Sequence, residues 1–295
     1  MNANILNKIL IEWDNSDIED SGLIKASAVA NEMKYYLIYK LDKTGKIKIF
    51  DGYSYIYSEF KDKVYIHGEH VQLDKDGFTV NEYEPGEYRV YIEDFDRLKE
   101  LYEYAFSRCK DLTSVIIPNS VKKIDNYAFS RCKDLTSIII PDSVTSIGLC
   151  AFNGCIRLIS MVIPNSVISI DKYVFSNCSR LTSIVVEKGN PKYDSRKNCN
   201  AIIETTTRTL ICGCKKTIIP ASVRKIAPYA FCSCTYLTSV TIPNSVTSID
   251  DGAFYCCPNL KKVYVEDINK FNEIKFGNEY SNPTCYGAKL IELNK

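Results

Sequence analysis

The chain of 295 residues contains one short pattern six times: a phenylalanine, a cysteine three residues later and a leucine six residues later. The phenylalanines of these copies are Phe106, Phe129, Phe152, Phe175, Phe231 and Phe254. Successive copies lie 23 residues apart, except that the step from Phe175 to Phe231 is 56 residues, which leaves 33 beyond one period. A fixed period in the twenties predicts a solenoid, in which each repeat contacts its neighbours. One turn therefore carries a long insertion.

A second phrase, Ile-Pro-x-Ser-Val in all its copies, begins at Ile117, Ile140, Ile163, Ile219 and Ile242. In front of it, apolar residues such as Leu112, Val115 and Ile117 have the spacing of a strand that faces a core. A unit of this length cannot enclose a core alone, so neighbouring units must cover it. The proline lacks an N–H and is expected to end the strand. The serine two residues later is expected to hydrogen-bond the local backbone.

These repeats resemble the BspA-like leucine-rich repeats, whose units are close to A-F-x-x-C-x-x-L-T-S-I-x-I-P-x-S-V-x-S-I. Residues 128–147 and 230–249 carry the resemblance most fully, and it extends over about residues 105–290. The insertion at about residues 187–217 resembles the longer, hairpin-bearing unit of that family. The resemblance implies a β-rich repeat protein: a right-handed leucine-rich repeat solenoid with short strands and helical turns. It also implies adhesion or host-protein binding at a bacterial or protist cell surface.

The region before the repeats has a different composition. Residues 1–104 contain 13 Lys and Arg against 21 Asp and Glu, whereas residues 105–295 contain 24 against 15. Short alternating runs separated by turn residues predict strands. The predicted strands are Tyr35–Leu41, Lys46–Phe50, Tyr53–Tyr57, Val64–Ile66, Phe78–Val80 and Glu87–Ile92. We therefore expect a small antiparallel β-domain before the solenoid, with a sandwich as one arrangement.

These patterns suggest three parts of the chain. The β-domain is assigned to residues 1–88, the solenoid to residues 89–266 and a C-terminal capping segment to residues 267–295. The segment from Arg89 to Tyr104 imitates a repeat, because Leu98 and Leu101 have the spacing of Val144 and Ile147 before the next Ala-Phe pair. Since a solenoid end exposes apolar surface and an open strand edge, we expect this segment to cap the array.

Thirteen cysteines raise the questions of disulfides and metal. Six share the repeat column, where a small apolar thiol suits a core position, and Cys214 occupies the leucine position of its repeat. The other six are Cys150, Cys199, Cys212, Cys232, Cys256 and Cys285. A zinc site at Cys212, Cys214, Cys232 and Cys234 is disfavoured, because each pair has one intervening residue where structural zinc sites favour two to four. We expect core thiols, with no metal and no cofactor.

Residues of catalytic type form no recognised motif. There is no Walker loop, no Gly-x-Gly-x-x-Gly and no Gly-x-Ser-x-Gly. The two histidines, His67 and His70, lie outside the repeats and are expected to be an exposed pair beside a turn. We predict that the chain is not an enzyme, and we keep an enzyme sited in the N-terminal region as the less favoured alternative.

Signals for cellular location point in two directions. No segment reaches the roughly 18 apolar residues that cross a bilayer, and residues 1–12 do not resemble a signal peptide. The family resemblance implies a secreted or surface protein instead. Location and oligomeric state are therefore left open.

The solenoid should expose regular columns of side chains on its first strand. We predict that partners bind at Ser114, Ile116, Ser137, Ile139, Ser160, Val162, Ser183, Val185, Ile218, Ser239 and Thr241, on the concave face. An exposed apolar column fits the floor of a binding groove. The alternative is that β-branched residues occupy it because they favour strands.

Basic residues form a second candidate surface. Lys110, Lys133, Arg157 and Arg180 recur beside the Cys-to-Leu turn, and Lys122, Lys123, Arg224 and Lys225 lie on the predicted second strand. Such a stripe could attract an acidic glycan or an acidic protein. It lacks interleaved aromatic residues for base stacking, which argues against nucleic acid. The favoured function is non-enzymatic protein binding, in cell-surface adhesion or host recognition; an intracellular scaffold or effector-like protein is the alternative.

Overall fold

The structure is a computed structural model and describes residues 37–293. Its first elements are β1 (Leu37–Leu41), α1 (Tyr55–Phe60), β2 (Val64–Ile66), β3 (Glu69–His70) and β4 (Gly86–Ile92). β4 pairs antiparallel with both β1 and β2, and β2 pairs antiparallel with β3. These strands lie in one sheet, in the order β3-β2-β4-β1.

Three strand predictions in this region need comment. The strand predicted at Tyr53–Tyr57 is wrong, because the Ser54 side chain accepts a hydrogen bond from the Tyr57 N–H and so caps the start of α1. The runs at Lys46–Phe50 and Phe78–Val80 pair with each other only through the bridge between Lys48 and Phe78. The first two residues of the predicted strand Tyr35–Leu41 lie outside the described residues.

The first repeats supply two parallel ladders of short strands. In chain order these strands are β5 (Glu100–Leu101), β6 (Leu112–Ile116), β7 (Lys123–Ile124), β8 (Ser137–Ile139), β9 (Ser146–Ile147), β10 (Ser160–Ile163), β11 (Ser169–Ile170) and β12 (Ser183–Val186). The even-numbered strands form the first ladder, which runs from β6 to β8 and from β10 to β12. The odd-numbered strands form the second ladder. As predicted, proline stops the first strand: β10 ends at Ile163, directly before Pro164.

The insertion folds as a hairpin attached to the second ladder. It contains β13 (Tyr193–Asp194), β14 (Ala201–Glu204) and β15 (Thr209–Gly213), which pair antiparallel in that order. β15 then pairs in parallel with β16 (Lys225–Ile226), the next rung of the ladder. The first ladder has no strand between β12 and β17 (Ser239–Ile242) among the described residues.

The array continues after the insertion through β18 (Ser248–Ile249), β19 (Lys262–Val265), α2 (Ile268–Asn272), β20 (Lys275–Phe276) and β21 (Lys289–Glu292). β17, β19 and β21 form the first ladder here, and β16, β18 and β20 the second. The whole is a solenoid of about eight turns with few helices. The predicted fold class, a leucine-rich repeat solenoid preceded by antiparallel strands, is confirmed.

Phenylalanine stacks form the centre of the solenoid. The rings of Phe106, Phe129, Phe152 and Phe175 stack at centroid distances of 5.3, 5.4 and 5.6 Å, with interplanar angles of 9, 2 and 11°. A second stack joins Phe231 to Phe254 at 5.0 Å. The gap between the two stacks coincides with the insertion.

The cysteine column gives each turn a hydrogen bond to the previous one. The thiols of Cys132, Cys155 and Cys178 lie 3.0, 3.3 and 3.1 Å from the carbonyl oxygens of Phe106, Phe129 and Phe152, to which they donate. Cys257 does the same to Phe231 at 3.1 Å. These thiols are buried, as predicted. A cysteine suits this column because its side chain is small, apolar and still a weak donor.

Burial of thiols makes the fold sensitive to high pH. Burial raises the pKa of the Cys257 thiol to about 12 and that of Cys199 to about 11. Unfolded thiols ionise near pH ~8.5. The unfolded state alone therefore loses these protons as the pH rises from about 9 to about 11, so this contribution to stability is complete below about pH 8 and is lost above it.

We expect the urea midpoint of the whole chain to be lower at about pH 10 than at about pH 8. The fall should be smaller in a Cys199→Ala, Cys257→Ala variant. The measurement is urea unfolding followed by circular dichroism under reducing conditions at both pH values. A pH-independent midpoint, or an equal fall in the variant, would contradict the assignment to these thiols.

The serines of the Ile-Pro-x-Ser-Val phrase bond differently from the prediction. Ser143 Oγ donates to the Val121 carbonyl oxygen at 2.6 Å, and Ser166 Oγ donates to that of Val144 at 2.7 Å. Each acceptor belongs to the preceding turn, so the serine links two turns instead of closing its own bend. The expected local bond is wrong because stacking brings the neighbouring valine carbonyl within reach.

A third ladder of hydrogen bonds runs through the turns that carry the phenylalanines. In one turn, the N–H groups of Tyr104, Phe106 and Arg108 donate to the carbonyls of Asn126, Ala128 and Ser130 in the next turn, at 3.1, 2.7 and 2.7 Å. The turns of Phe129 and Phe231 repeat the arrangement. The residues two before and two after each phenylalanine have positive φ, as at Tyr104 and Arg108 with φ of 60°. This conformation points alternate N–H groups along the array.

Candidate partner-binding face

The outward positions of the first ladder form the strand face, which we define by the first and third residues of strands β8, β10, β12, β17, β19 and β21. Burial alternates along these strands as the pleat requires: in β17, Ser239 and Thr241 are exposed while Val240 and Ile242 are buried. In β12, Val185 is 38% exposed. Side chains at these positions are thus presented to solvent over several turns.

Three predicted partner-binding residues at the N-terminal end are not exposed. Ser114 and Ile116 on β6 and Ser137 on β8 are all buried. The reason is long-range: β1 pairs antiparallel with β6 and places Ile38 opposite Ser114. In addition, Ser137 Oγ donates to Ser114 Oγ at 3.0 Å, so the two hydroxyls satisfy each other. Residues 114, 116 and 137 therefore lie outside the strand face in its accessible form.

The remaining predicted residues differ in exposure. Half-buried positions are Ile139, Ser160, Val162 and Ser183, and exposed positions are Val185, Ile218, Ser239 and Thr241. Val162 lies opposite Val185 in the parallel register of β10 and β12. These two valines therefore form a neighbouring pair of apolar side chains at the middle of the strand face.

Ile218 is exposed but does not lie on a strand. It is 68% exposed, and its N–H donates to the Cys199 carbonyl oxygen at 3.0 Å. That bond joins the segment to the beginning of the hairpin, so the chain does not continue the first ladder at this turn. The predicted column is interrupted here because the insertion takes the position of a regular strand.

Sequence reasoning missed the last part of the strand face. Thr241 lies opposite Tyr264, and Tyr264 lies opposite Ile291, so these two residues extend the column through β19 and β21. Their turns lack the Ile-Pro phrase that marked the others. The available signal was the spacing of Leu260, Val263 and Val265, which matches the first strand of the earlier repeats.

An exposed isoleucine at the edge of this face was also missed. Ile159 directly precedes β10 and is 53% exposed. Other repeats have threonine at this position, as at Thr136 and Thr182. A departure from a repeated polar residue to an exposed apolar one was therefore visible in the sequence.

The basic stripe lies beside the strand face and is partly neutralised. Lys110, Lys133, Arg157 and Arg180 are exposed. The Arg157 guanidinium lies 3.3 Å from the Asp134 carboxylate, which removes one free positive charge from the series. On the second ladder, Lys123 and Lys225 lie on strands as predicted, and their ammonium groups pair with Asp125 and Asp250 at 3.0 and 2.8 Å.

The remaining candidate groups show no assembled chemical centre. Within residues 37–293, no group of three or more His, Cys, Asp or Glu side chains is arranged to hold a metal ion. His67 and His70 are both exposed at the turn between β2 and β3, as expected. The same part of the chain contains no helix with the length and apolar character needed to traverse a membrane.

Parallel ladders on repeated 23-residue turns, closed by stacked phenylalanines and buried cysteines, define a leucine-rich repeat protein. The family model described as the BspA type leucine rich repeat region matches residues 99–209 and 209–285, in six copies. The chain belongs to this family. Leucine-rich repeat families are generally protein-interaction modules and are typically non-enzymatic.

Solved structures of bacterial leucine-rich repeat proteins are similar to part of the chain. A leucine-rich repeat protein from Eubacterium ventriosum is 21% identical with a TM-score of 0.49, covering 64% of this chain and 56% of its own. A leucine rich cell surface protein from Faecalibacterium prausnitzii is 25% identical with a TM-score of 0.45, covering 64% of this chain and 62% of its own. The chain thus spans well under two thirds of both proteins. No curated protein matches it significantly.

Proposed function

We propose that this chain is a non-enzymatic protein-binding module whose partner docks on the strand face between Ile139 and Ile291. The observation that carries the proposal is the outward column of apolar and polar side chains that β12, β17 and β19 present, of which Val185 is 38% exposed. Protein partners recognise apolar centres with polar rims. Here the apolar centre is the Val162 and Val185 pair, with Ile159 at its edge.

Neighbouring side chains supply the polar rim in this proposal. Ser160 and Ser183 lie in the adjacent outward column, and exposed Lys262 and Lys289 continue that column at the C-terminal end. Serine hydroxyls provide adaptable hydrogen bonds, and lysines provide charge. A partner with an apolar contact residue and acidic groups toward the C-terminal turns is the best complement.

The finer function that we propose is adhesion or recognition of a host or partner protein at the cell surface. It is supported by membership of the BspA-type family, together with the expectation from sequence that such repeats are used at surfaces. Cell fractionation, combined with protease treatment of intact cells of the producing organism, tests this point. Recovery of the protein only from the cytosol, protected from protease, would favour the intracellular scaffold instead.

The docking face itself is tested by placing charge at its centre. We expect a Val162→Lys, Val185→Lys variant to lose at least about tenfold in affinity for a partner of the wild-type chain, because the apolar contact is replaced by two ammonium groups. Partners are first isolated from the native host material with the whole chain and identified, and affinity is then measured with the purified partner.

A matched control adds the same charge to the second ladder. Ser146→Lys, Ser169→Lys places two lysines on β9 and β11, opposite each other in the parallel register. This variant should bind as the wild type does. Equal affinity of the valine variant and the wild type would remove the strand face from consideration, and equal losses in both variants would indicate a non-specific charge effect.

A further inference from the structure

A cavity of about 260 Å³ lies where the insertion interrupts the solenoid. We call it the seam cavity. One wall is the turn that contains Phe175, from Ile170 to Ser176, and the opposite wall is formed by residues 227–230 with Cys232 and Cys234. Ile211, Cys212 and Gly213 of the hairpin complete the lining. It is thus a break between two turns that would otherwise stack directly.

The break leaves backbone donors without a protein partner on one wall. In regular turns, the N–H groups at the Tyr104, Phe106 and Arg108 positions donate to the next turn. The equivalent N–H groups of Tyr173, Phe175 and Asn177 have no acceptor among the described residues. Because these positions direct their N–H groups along the array in the other turns, they point toward the seam.

The opposite wall has the complementary deficit. Carbonyls at the Asn126, Ala128 and Ser130 positions accept from the preceding turn in regular repeats. At the seam only the middle carbonyl, that of Ala230, is used, by the Gly213 N–H at 2.9 Å. The carbonyl oxygens of Pro228 and Cys232 accept no hydrogen bond from the described residues. The seam cavity therefore lies between a row of free donors and two free acceptors.

The C-terminal end of the array shows how the same row is completed by protein groups. There the N–H groups of Gly252, Phe254 and Cys256 donate to Asn278 Oδ1, the Tyr280 carbonyl and the Tyr286 hydroxyl, at 3.1, 3.2 and 2.9 Å. An amide oxygen and a peptide carbonyl are thus suitable acceptors at these positions. A buried polar group without a partner is costly, so the seam favours a ligand with similar groups.

The lining indicates a neutral ligand of small size. Asp171 and Lys172 both line the cavity, so the charges of its wall compensate each other, and most other lining side chains are apolar. The volume is slightly below that of ordinary small-molecule pockets and suits on the order of one or two amino-acid residues. A peptide group offers both an acceptor and a donor, which a free carboxylate or an alkane does not.

We propose that the seam cavity binds a short neutral peptide segment, whose carbonyl accepts from the N–H groups of the Phe175 turn and whose N–H donates to the carbonyls of Pro228 or Cys232. This mode resembles the addition of a strand, with backbone hydrogen bonds providing affinity. It is separate from docking on the strand face and does not depend on it. The ligand takes the place that one regular turn would fill.

The test uses N-acetylalanine N-methylamide, a blocked residue with two peptide groups, and follows backbone amide signals of the whole isotopically labelled chain by NMR. We expect saturable shifts of the Tyr173, Phe175 and Asn177 amides. N-acetylalanine methyl ester lacks one N–H and should bind between about three- and tenfold more weakly. The absence of shifts at these amides, or equal binding of the ester, would overturn the proposal.

A variant pair locates the site. Ala227→Leu adds three carbon atoms to a residue that lines the cavity, and should weaken binding at least about tenfold. Ala221→Leu makes the same change at an exposed residue that does not line the cavity, and should leave binding unchanged. Undiminished binding by a folded Ala227→Leu chain would also overturn the proposal. If that variant fails to fold, the comparison of amide and ester on the wild type still decides.

Discussion

Replacing Phe129 with alanine should lower the free energy of unfolding by about 3–5 kcal/mol. Phe129 is completely buried, and its ring stacks on Phe106 on one side and on Phe152 on the other, at 5.3 and 5.4 Å. The substitution removes both ring contacts and leaves a cavity that adjacent turns cannot fill, since their backbones are held apart by three hydrogen-bonded ladders. Urea unfolding of the whole chain measures the effect.

Phe254→Ala is the matched control for the stack. Phe254 is also completely buried, but it has one stacked phenylalanine neighbour, Phe231 at 5.0 Å. An aromatic pair contributes about 0.5–1.5 kcal/mol beyond the burial of its area, so Phe254→Ala should be less destabilising than Phe129→Ala by about this amount. If Phe254→Ala has the larger effect, stacking along the array is not what distinguishes these positions.

Replacing Gly213 with alanine should destabilise the chain by about 1–3 kcal/mol, although it adds a single carbon atom. A Cβ at this position would lie 2.2 Å from Phe231 Cε1 and 2.6 Å from Cζ. Phe231 is completely buried, so its ring cannot move away without disturbing the second stack. The Gly213 N–H also donates to the Ala230 carbonyl, which fixes the hairpin against this turn. The change in urea midpoint reports the cost.

Gly45→Ala separates this clash from the general effect of replacing a glycine. A Cβ at Gly45 would have the Lys43 carbonyl oxygen as its nearest neighbour, at 4.0 Å, and neither glycine has the left-handed φ that alanine avoids. Gly45→Ala should therefore remain within about 1 kcal/mol of the wild type. In a Gly213→Ala, Phe231→Leu double variant, the combined loss should be smaller than the sum of the single losses, because the smaller side chain makes room. Additive losses would contradict the proposed contact.

Much of the solenoid could be predicted because its determinants are local and repeated. The column of Phe129 and Cys132 recurs at a constant interval, so each copy supports the assignment of the others to the core. Proline before the turn is equally informative, since it cannot donate to a ladder wherever the chain folds. In the unrepeated region there was no such support. The run Tyr53–Tyr57 alternates like a strand, and only the capping contact of Ser54 shows that a helix starts there.

The exposure of the candidate site could not be predicted from the repeat. Ile116 and Val185 occupy the same column, yet the first is buried and the second is exposed. The difference arises from β1, which precedes β6 by some seventy residues and pairs with it. Similarly, the spacing predicts that Ile218 continues the column, whereas the hairpin moves it off the ladder. Pairing between distant segments has no periodic signature in the chain.

The sequence by itself determined the unit of this protein: a turn of 23 residues, its buried phenylalanine and cysteine, the end of its first strand and the family to which it belongs. These properties follow from local chemistry repeated at a constant interval. Tertiary structure alone decided which turns β1 covers, where the two phenylalanine stacks separate and which backbone groups border the seam cavity. Each of these depends on segments far apart in the chain meeting in space, and on hydrogen bonds that the insertion prevents neighbouring turns from making.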